Sequence, residues 1–255
     1  MEPECYDNDI LDQEFLISKD LLITPILQPH QHQIHPYFPG KSNEKWYDLH
    51  SGEIYEGGSH HMISCGLTDP IPMFLRAGTI IYRQEINDTV RSSDDLDNRF
   101  ILSVAVKKDQ EGGYLESKGM MMGCENYNNY EKLNKCIEGD CMLIIRSSYK
   151  EFSDEKERRQ LYIILEGPEN EKEVKLLDKV GVIGIDVYGI IDNDGENDKV
   201  IQKAVGLRIC GHKSKDLAME EIGVIVKREK NIIKLRFKKN INIEASDQFL
   251  IELML

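Results

Sequence analysis

Short apolar segments, rich in β-branched and aromatic residues, recur along this chain, and clusters of turn-forming residues separate them. Several alternate apolar and polar positions, as strands buried on one face do. Residues 151–160 are charged and suit either a helical turn or a long loop. The pattern predicts an all-β protein built from β-sandwiches and argues against a parallel α/β sheet. The predicted strands cover residues 21–24, 73–82, 100–106, 141–145, 161–165, 180–185, 223–226, 232–237 and 249–253.

A change in composition divides the pattern. Residues 87–99 are polar and contain few apolar anchors, so we expect a linker or a long connection there. This predicts a smaller β-sandwich-like domain over residues 1–90 and a larger β-sandwich domain over residues 91–255.

Charge and hydropathy exclude several partners. The net charge is −13 and the sequence pI is about 5.1, whereas nucleic acids and anionic membranes attract clustered Lys and Arg. No apolar run approaches the roughly 20 residues that cross a bilayer. Met1 to Cys5 are acidic with no hydrophobic stretch behind them, and the last four residues form no retention signal. We therefore expect no nucleic-acid or membrane partner, and neither a signal peptide nor a retention motif within this sequence.

The six cysteines do not define a disulfide framework. Cys136 and Cys141 flank a short Glu-Gly-Asp segment and could face each other across a hairpin turn. In the absence of a visible secretory signal, free buried thiols are the expected state.

Candidate chemical sites are weak. The histidines clustered between residues 30 and 61 could suggest a metal, but no paired cysteines accompany them and the first three lie in a Pro-rich stretch, so a solvated loop is expected. The acidic run Asp192 to Asp198 lacks the Gly at position six and the Glu at position twelve of a calcium loop, and it fits a hairpin turn. Asp94, Asp95 and Asp97 are expected on a surface loop. No dinucleotide or phosphate-binding motif and no nucleophile motif is present. The histidines are His30, His32, His35, His50, His60 and His61.

Three motifs in order carry a resemblance to glycoside hydrolase family 31, the family of the α-glucosidases. Phe15 to Leu27 resembles the "QFLxGDxLLVAPVL" strand that follows the family's catalytic barrel. Tyr37 to Gly58, with Lys45-Trp46-Tyr47-Asp48 within it, is similar to "YLPxGxWYDxxTGxxYxGG". Ile71 to Ile81 resembles "IPxFxRAGTII". The resemblance implies two C-terminal β-sandwich domains, proximal and distal, without the catalytic (β/α)8 barrel.

Further segments resemble the branch of the family that contains the endoplasmic-reticulum glucosidase II α subunits. Val90 to Ser93 is similar to its "RRSS", residues 180–184 to its "VVIIGAG" strand, and residues 240–247 to its terminal "GINVASDW". The Asp-Asp-Gly turn of the distal domain is replaced here by Ser117-Lys118-Gly119. The branch implies N-glycan glucose trimming, the endoplasmic-reticulum lumen and a glucosidase II β-type partner subunit.

The resemblance implies hydrolysis of α-glucosidic bonds with retention, by two carboxylates of a barrel of about 250 residues. The family's "WxDMNE" nucleophile segment is missing here, because the only Trp, Trp46, precedes Tyr47-Asp48-Leu49-His50. Asp48 is therefore expected as a strand or turn residue. We assign no catalytic, cofactor-binding or metal-binding residue to this chain, and no cofactor.

Three hypotheses follow for function. The chain is the non-catalytic C-terminal part of a glucosidase II-like enzyme, and meets carbohydrate only through the full-length enzyme. Alternatively, it is a stand-alone carbohydrate-binding or accessory protein, which an exposed aromatic platform would favour, although Trp46 is expected to be buried. Thirdly, it assembles with a separately encoded barrel, which predicts a large exposed apolar face from the first strands, within residues 1–30.

Overall fold

A computed structural model of the protein describes residues 13–66, 68–84, 86, 90–92, 99–109, 113–122, 142–151, 159–166, 181–190, 203–209, 219–242 and 248–254. Every regular element in these ranges is a β-strand, which confirms the predicted all-β class. Within the same ranges no helix could cross a membrane.

The first unit is a five-stranded antiparallel sheet with two short ribbons. Its sheet order is β1-β2-β9-β5-β6, and the ribbons pair β3 with β8 and β4 with β7. The strands are β1 (Phe15–Ile17), β2 (Leu21–Ile23), β3 (Gln33–Ile34), β4 (Tyr37–Phe38), β5 (Lys45–Asp48), β6 (Ile54–Glu56), β7 (Ser59–His60), β8 (Ile63–Ser64) and β9 (Met73–Arg76).

The second unit contains ten strands in one continuous order, β10-β11-β17-β20-β19-β18-β21-β16-β15-β14, with a small β12-β13 ribbon beside it. Its pairs are antiparallel except for the parallel pair of β11 and β17. The strands are β10 (Ile80–Gln84), β11 (Arg99–Ala105), β12 (Lys107–Lys108), β13 (Tyr114–Leu115), β14 (Ser117–Met122), β15 (Met142–Glu151), β16 (Arg159–Glu166), β17 (Gly181–Tyr188), β18 (Lys203–Ile209), β19 (Met219–Glu229), β20 (Ile232–Asn242) and β21 (Gln248–Met254).

The ten strands form two layers because β19 passes from one layer to the other. Up to Gly223 it pairs with β18, and from Val224 onward it pairs with β20. At the opposite end, the Lys118 amide donates to the Gly78 carbonyl at 3.0 Å and brings β14 beside β10. Side chains of both layers, among them Leu161 and Leu235, share one fully buried core. This is the larger β-sandwich that the strand pattern predicts.

The passage between the two units breaks a segment that the sequence predicts as one strand, residues 73–82. The structure divides it into β9 in the first sheet and β10 in the second. Gly78 lies between them with a φ of +85°, a backbone conformation that favours glycine. Its amide donates to Ala105 O at 2.9 Å, whereas the Ala77 amide donates to Lys45 O at 2.8 Å. The change of sheet therefore occurs before β10, and the predicted domain division at residue 90 stays a prediction.

Other expectations met different outcomes. The turn expected at Ser117-Lys118-Gly119 is wrong, since these residues begin strand β14, and strands β14 and β18 were missed by the sequence pattern. Several predictions fall outside the described residues. These are most of the predicted linker (residues 87–89 and 93–98), the middle of the charged segment (152–158), the acidic loop (192–198) and five cysteines, Cys5, Cys124, Cys136, Cys141 and Cys210. The remaining cysteine, Cys65, is a buried free thiol.

Strand β5 joins the two units through two adjacent aromatic residues on its opposite faces. Trp46 is fully buried in the core of the first unit, where it packs with Phe38. Tyr47 points the other way and packs against Tyr188 of the second unit. Its hydroxyl donates to Val106 O at 2.7 Å. The first sheet is therefore buried on both faces. One face packs in the core of the first unit, and the other packs against the second unit.

The approach of the two units is close enough to require glycine on the second unit. Gly189 has a φ of +82°, and a Cβ atom there would lie 2.4 Å from the Tyr47 hydroxyl oxygen. A second hydrogen bond crosses the seam from the Tyr188 hydroxyl to Leu49 O at 3.2 Å. Both tyrosine hydroxyls thus satisfy carbonyl groups of the opposite unit.

Replacement of Tyr47 by Phe tests this seam. It keeps the ring but leaves the buried Val106 carbonyl without its donor, so we expect the free energy of unfolding to fall by about 1–2 kcal/mol in urea denaturation. Tyr55→Phe is the matched control, because the Tyr55 hydroxyl bonds the exposed Glu53 at 2.8 Å. We expect its loss to stay below about 0.5 kcal/mol. Equal losses of stability in the two variants would show that the Tyr47 hydrogen bond across the seam contributes no more than the exposed hydrogen bond of Tyr55.

Candidate functional site

The histidines that could suggest a metal are separated by the fold. The His50 ring contacts Ile71 O, the His60 ring contacts His35 O, and the His61 ring contacts Glu56 O. His30 and His32 are exposed on the preceding loop. In the described ranges, no group of three or more His, Cys, Asp or Glu side chains is arranged to hold a metal ion. Each described contact of these rings is to a backbone carbonyl or to a neighbouring side chain.

Asp48 closes a turn. Its Oδ1 atom accepts hydrogen bonds from the amides of His50 at 2.7 Å and Ser51 at 2.6 Å, immediately after strand β5. The expectation that Asp48 is a strand or turn residue is therefore confirmed. The three aspartates at 94, 95 and 97 lie outside the described residues.

Asp186 is a fully buried carboxylate held between two guanidinium groups. Its two oxygens accept from Arg83 on β10 and, at 2.6 Å, from Arg236 on β20. Both oxygens of this carboxylate are thus engaged in charge-assisted hydrogen bonds with protein donors. The arrangement ties three strands of the larger sandwich together and leaves no open coordination for a ligand.

Glu14 is the one group whose described environment differs from that of a solvated or paired carboxylate. Its Oε2 atom accepts a hydrogen bond from the Tyr37 amide at 3.1 Å. Burial raises the pKa of the Glu14 carboxyl to about 7, against the smaller lowering effect of the Tyr37 hydrogen bond. The carboxyl lines a cavity of about 180 Å³ between β1 and the loop before β4. Sequence reasoning missed it, because Glu14 only opens the first family motif.

An exposed apolar patch lies beside this cavity. It consists of Phe15 and Ile17, each 52% exposed. Phe15 and Ile17 alternate on β1 with Leu16, which packs against the core of the first unit. Strand β1 is also the edge of its sheet, with β2 on one side and, in the described part of the chain, no strand on the other. These half-exposed side chains lie where a large apolar face is expected within residues 1–30, and the full extent of that face stays a prediction.

Comparison with known proteins finds relatives of the first unit. The family model described as the glycosyl hydrolase family 31 C-terminal domain matches residues 2–81. Alpha-glucosidase 2 of Bacillus thermoamyloliquefaciens is 35% identical over 85 residues, which are 33% of this chain and 10% of that protein. Neutral alpha-glucosidase AB of Sus scrofa is 38% identical over 73 residues, 29% of this chain and 8% of that protein. Residues 2–81 are therefore similar to the family 31 C-terminal domain, and the chain spans about a tenth of the length of these curated relatives.

Solved structures extend the likeness in fold to nearly the whole chain. A glucosidase II alpha subunit bound to Glc1Man2 covers 95% of this chain with a TM-score of 0.59 at 16% identity, and the match takes up 24% of that subunit. A heterodimeric ER glucosidase II complex, of the catalytic subunit and the binding domain of the regulatory subunit, gives a TM-score of 0.59, 16% identity and coverages of 94% and 23%. The family 31 dextranase of Flavobacterium johnsoniae complexed with glucose covers 99% at a TM-score of 0.58 and 14% identity, over 28% of its length. Nearly the whole chain thus shares its fold with about a quarter of each of these structures.

The Glu14 carboxyl makes stability depend on pH in a defined direction. Its pKa is raised from 4.5 in an unfolded reference to about 7, so the folded protein holds this proton more tightly. The stability that the folded chain gains from binding this proton is fully present below pH 4.5 and is lost as the pH rises through about 7. Glu14→Gln keeps an acceptor for Tyr37 and does not titrate. We expect its urea midpoint, relative to the native protein, to rise between pH 5 and pH 8.

The control for this titration is Glu53→Gln, at an exposed carboxyl whose Oε2 atom accepts from the Tyr55 hydroxyl at 2.8 Å. In the same pH series, the urea midpoint of Glu53→Gln should change with pH as that of the native protein does. A Glu14→Gln curve parallel to the native one would show that burial does not perturb this carboxyl.

Proposed function

We propose that this chain forms the non-catalytic C-terminal β-domains of a family 31 α-glucosidase and that its β1 edge packs against the catalytic barrel of that enzyme. The match of residues 2–81 to the family's C-terminal domain supports the assignment. The observation that carries the docking role is the half-exposed pair Phe15 and Ile17, on an edge strand at the start of the matched domain. An apolar edge of this kind calls for a covering partner, because an uncovered one promotes aggregation.

The size of the patch favours a barrel in the same polypeptide over a separate one. Burying the exposed half of Phe15 and of Ile17 contributes roughly 1 kcal/mol for each side chain. Two such contributions are small beside the cost of associating two free proteins, which is at least about 4 kcal/mol. A covalently attached barrel does not incur that cost. The patch therefore suits an interface between domains of one enzyme.

The chemistry of hydrolysis belongs to the barrel in this proposal. Retention requires two carboxylates about 5–5.5 Å apart, one a nucleophile and the other an acid and base. In the part of the chain that the structure describes, both oxygens of Asp186 accept from arginines, and Glu14 accepts from the backbone amide of Tyr37. The absence of a catalytic residue in this chain stays a prediction.

The finer assignment follows the glucosidase II branch. We propose that the complete enzyme removes glucose from N-glycans in the endoplasmic-reticulum lumen and binds a regulatory subunit of the glucosidase II β type. The similarity to neutral alpha-glucosidase AB and to the glucosidase II structures supports this assignment. Carbohydrate would then meet this chain as part of the whole enzyme.

The stand-alone accessory protein remains the competing hypothesis, and one of its expected features is missing. A carbohydrate-binding module of the usual kind would present a large aromatic platform. Trp46, the only Trp, is fully buried, as expected from its motif, and its indole N–H donates to Pro39 O at 3.1 Å. It therefore anchors the core and cannot stack on a sugar.

The native protein should be isolated from its own cells with an antibody against this chain, and its mass and hydrolysis of a chromogenic α-glucoside measured. We expect a polypeptide several times larger than the 29.4 kDa of this chain, with α-glucosidase activity in the precipitate. A 29.4 kDa species without this activity would overturn the proposal and favour the accessory protein.

The double variant Phe15→Ser/Ile17→Ser, introduced into the native protein, tests the docking surface. Because the patch contributes only about 2 kcal/mol, we expect a loss of thermal stability of the α-glucosidase activity, of the order of several degrees. Ile225→Ser is the matched control, since Ile225 is 54% exposed on β19 of the larger unit. An equal effect of both variants would contradict a specific role for the β1 edge.

A further inference from the structure

One layer of the larger sandwich, β10-β11-β17-β20-β19, carries mostly basic side chains on its outer face. Along each of these strands one set of side chains enters the common core, and the alternate set points away from it. This surface, the cationic face, has a net positive charge on a chain whose net charge is −13. In the described part of these strands, its charged residues are the cations Arg83, Arg99, Lys227, Lys234, Arg236 and Lys238 and the carboxylates Asp186 and Glu229.

Strand register brings two arginines of this face into one row across the sheet. Arg83 lies opposite Ile101, Ile101 lies opposite Gly184, and Gly184 lies opposite Arg236. A Cβ atom at Gly184 would lie 2.9 Å from Arg236 Cδ, so glycine leaves the space in which the Arg236 side chain crosses β17. Both guanidinium groups reach the Asp186 carboxylate, Arg236 at 2.6 Å. The sheet therefore presents two guanidinium groups close together.

The Asp186 carboxylate has no place for a ligand, but the two guanidinium groups keep donors of their own. Arg83 donates to Asp186 through one terminal nitrogen, and Arg236 donates through one terminal nitrogen to Asp186 and to Leu235 O. Within the described ranges, the Nε atom and the other terminal nitrogen of each group have no acceptor. The two side chains are 40% and 27% exposed. Donors in this fork geometry match the two oxygens of a carboxylate.

Asp186 also holds these donors in place. It is fully buried, so the anchor lies under the two arginines rather than beside them in solvent. A side chain that is already ordered loses less freedom when it binds, which favours affinity. Lys238, two residues beyond Arg236 on β20, is exposed and has no acidic partner among the described residues. The arginine pair and this lysine are therefore the cations of the face with the most capacity for a new anionic partner.

The extent of the face favours an acidic segment of a protein over other anions. A single small anion would contact the two guanidinium groups and leave Lys238 unused. A nucleic acid would extend past the face and meet the negative charge of the rest of the chain, which repels it. Three strand spacings separate β10 from β20, about 14 Å, a distance that a few residues of extended peptide cover. A short run of Asp and Glu side chains fits this length and this charge.

We propose that the cationic face docks an acidic segment of another protein, with Arg83, Arg236 and Lys238 as the main contacts of its carboxylates. The proposal goes beyond the proposed function, since it concerns the larger unit and not the β1 edge. It also holds whether or not the complete protein is an α-glucosidase.

The test is the binding of fluorescein-labelled octaglutamate to the full chain, followed by fluorescence anisotropy. In about 0.1 M salt, charges more than about 10 Å away are largely screened, and we expect saturable binding. Arg83→Lys keeps a cation for Asp186 but removes the fork of donors, and Lys238→Gln removes an exposed charge. Each variant should weaken binding by about 2- to 5-fold.

Each variant has a matched control. Lys41→Gln removes an exposed lysine of the first unit. Arg228→Lys changes an arginine that is exposed on the opposite side of β19 and donates to Lys230 O at 3.1 Å. Both controls should bind octaglutamate as the native chain does. Because Lys238 and Lys41 are exposed, their replacement leaves the core intact.

Several results would overturn the proposal. They are the absence of saturable binding up to roughly 1 mM octaglutamate, unchanged affinity in both Arg83→Lys and Lys238→Gln, and an equal loss in the controls. Octadeoxythymidylate bound as tightly as octaglutamate would show that the face attracts any polyanion. Displacement of the peptide by an equal concentration of inorganic phosphate would show a small-anion site. None of these results depends on α-glucosidase activity, so failure of this proposal and failure of the proposed function are distinguishable.

Discussion

The alternation of Trp46 and Tyr47 on strand β5 is the constraint on which the arrangement of this protein depends. Successive side chains of a strand point to opposite faces, so two adjacent large aromatic residues require both faces of the first sheet to be covered. Trp46 fills the core of the first unit, and Tyr47 fills the seam with the second. A sheet of five short strands buries too little surface to be secure alone. The second unit therefore supplies part of the core of the first.

That constraint also decides which surface of the first unit remains for function. In the order β1-β2-β9-β5-β6, the seam takes side chains from β9, β5 and β6, with Leu75, Tyr47 and Ile54 as contacts. Strand β1 lies at the opposite edge, where Phe15 and Ile17 are exposed and Glu14 borders the cavity. One edge is thus committed to internal packing, and the other carries every feature that calls for a partner or a ligand.

The sequence predicted the all-β class and most long strands because their signal is local. The apolar run at residues 100–106 forms the buried strand β11, and the segment at residues 232–237 forms part of β20. The break within residues 73–82 could not be predicted, because both halves are equally apolar and only Gly78 marks the change of sheet. The Glu14 site also escaped prediction, since its cavity depends on a loop that returns from twenty residues away to place Tyr37 against the carboxyl. Burial of this kind is a tertiary property with no local pattern.

The contrast between Glu14 and Asp186 shows why the first is the better functional candidate. Both carboxyls are withdrawn from water, but Asp186 is balanced by two arginines, and its cost of burial is offset within the fold. Glu14 has a single amide donor and responds to burial by a raised pKa. A carboxyl kept in a polar cavity without a cation destabilises the folded chain at neutral pH. Glutamine could accept the same hydrogen bond from the Tyr37 amide without titrating, so the Glu14 carboxyl is the described group at this edge whose charge depends on what covers it.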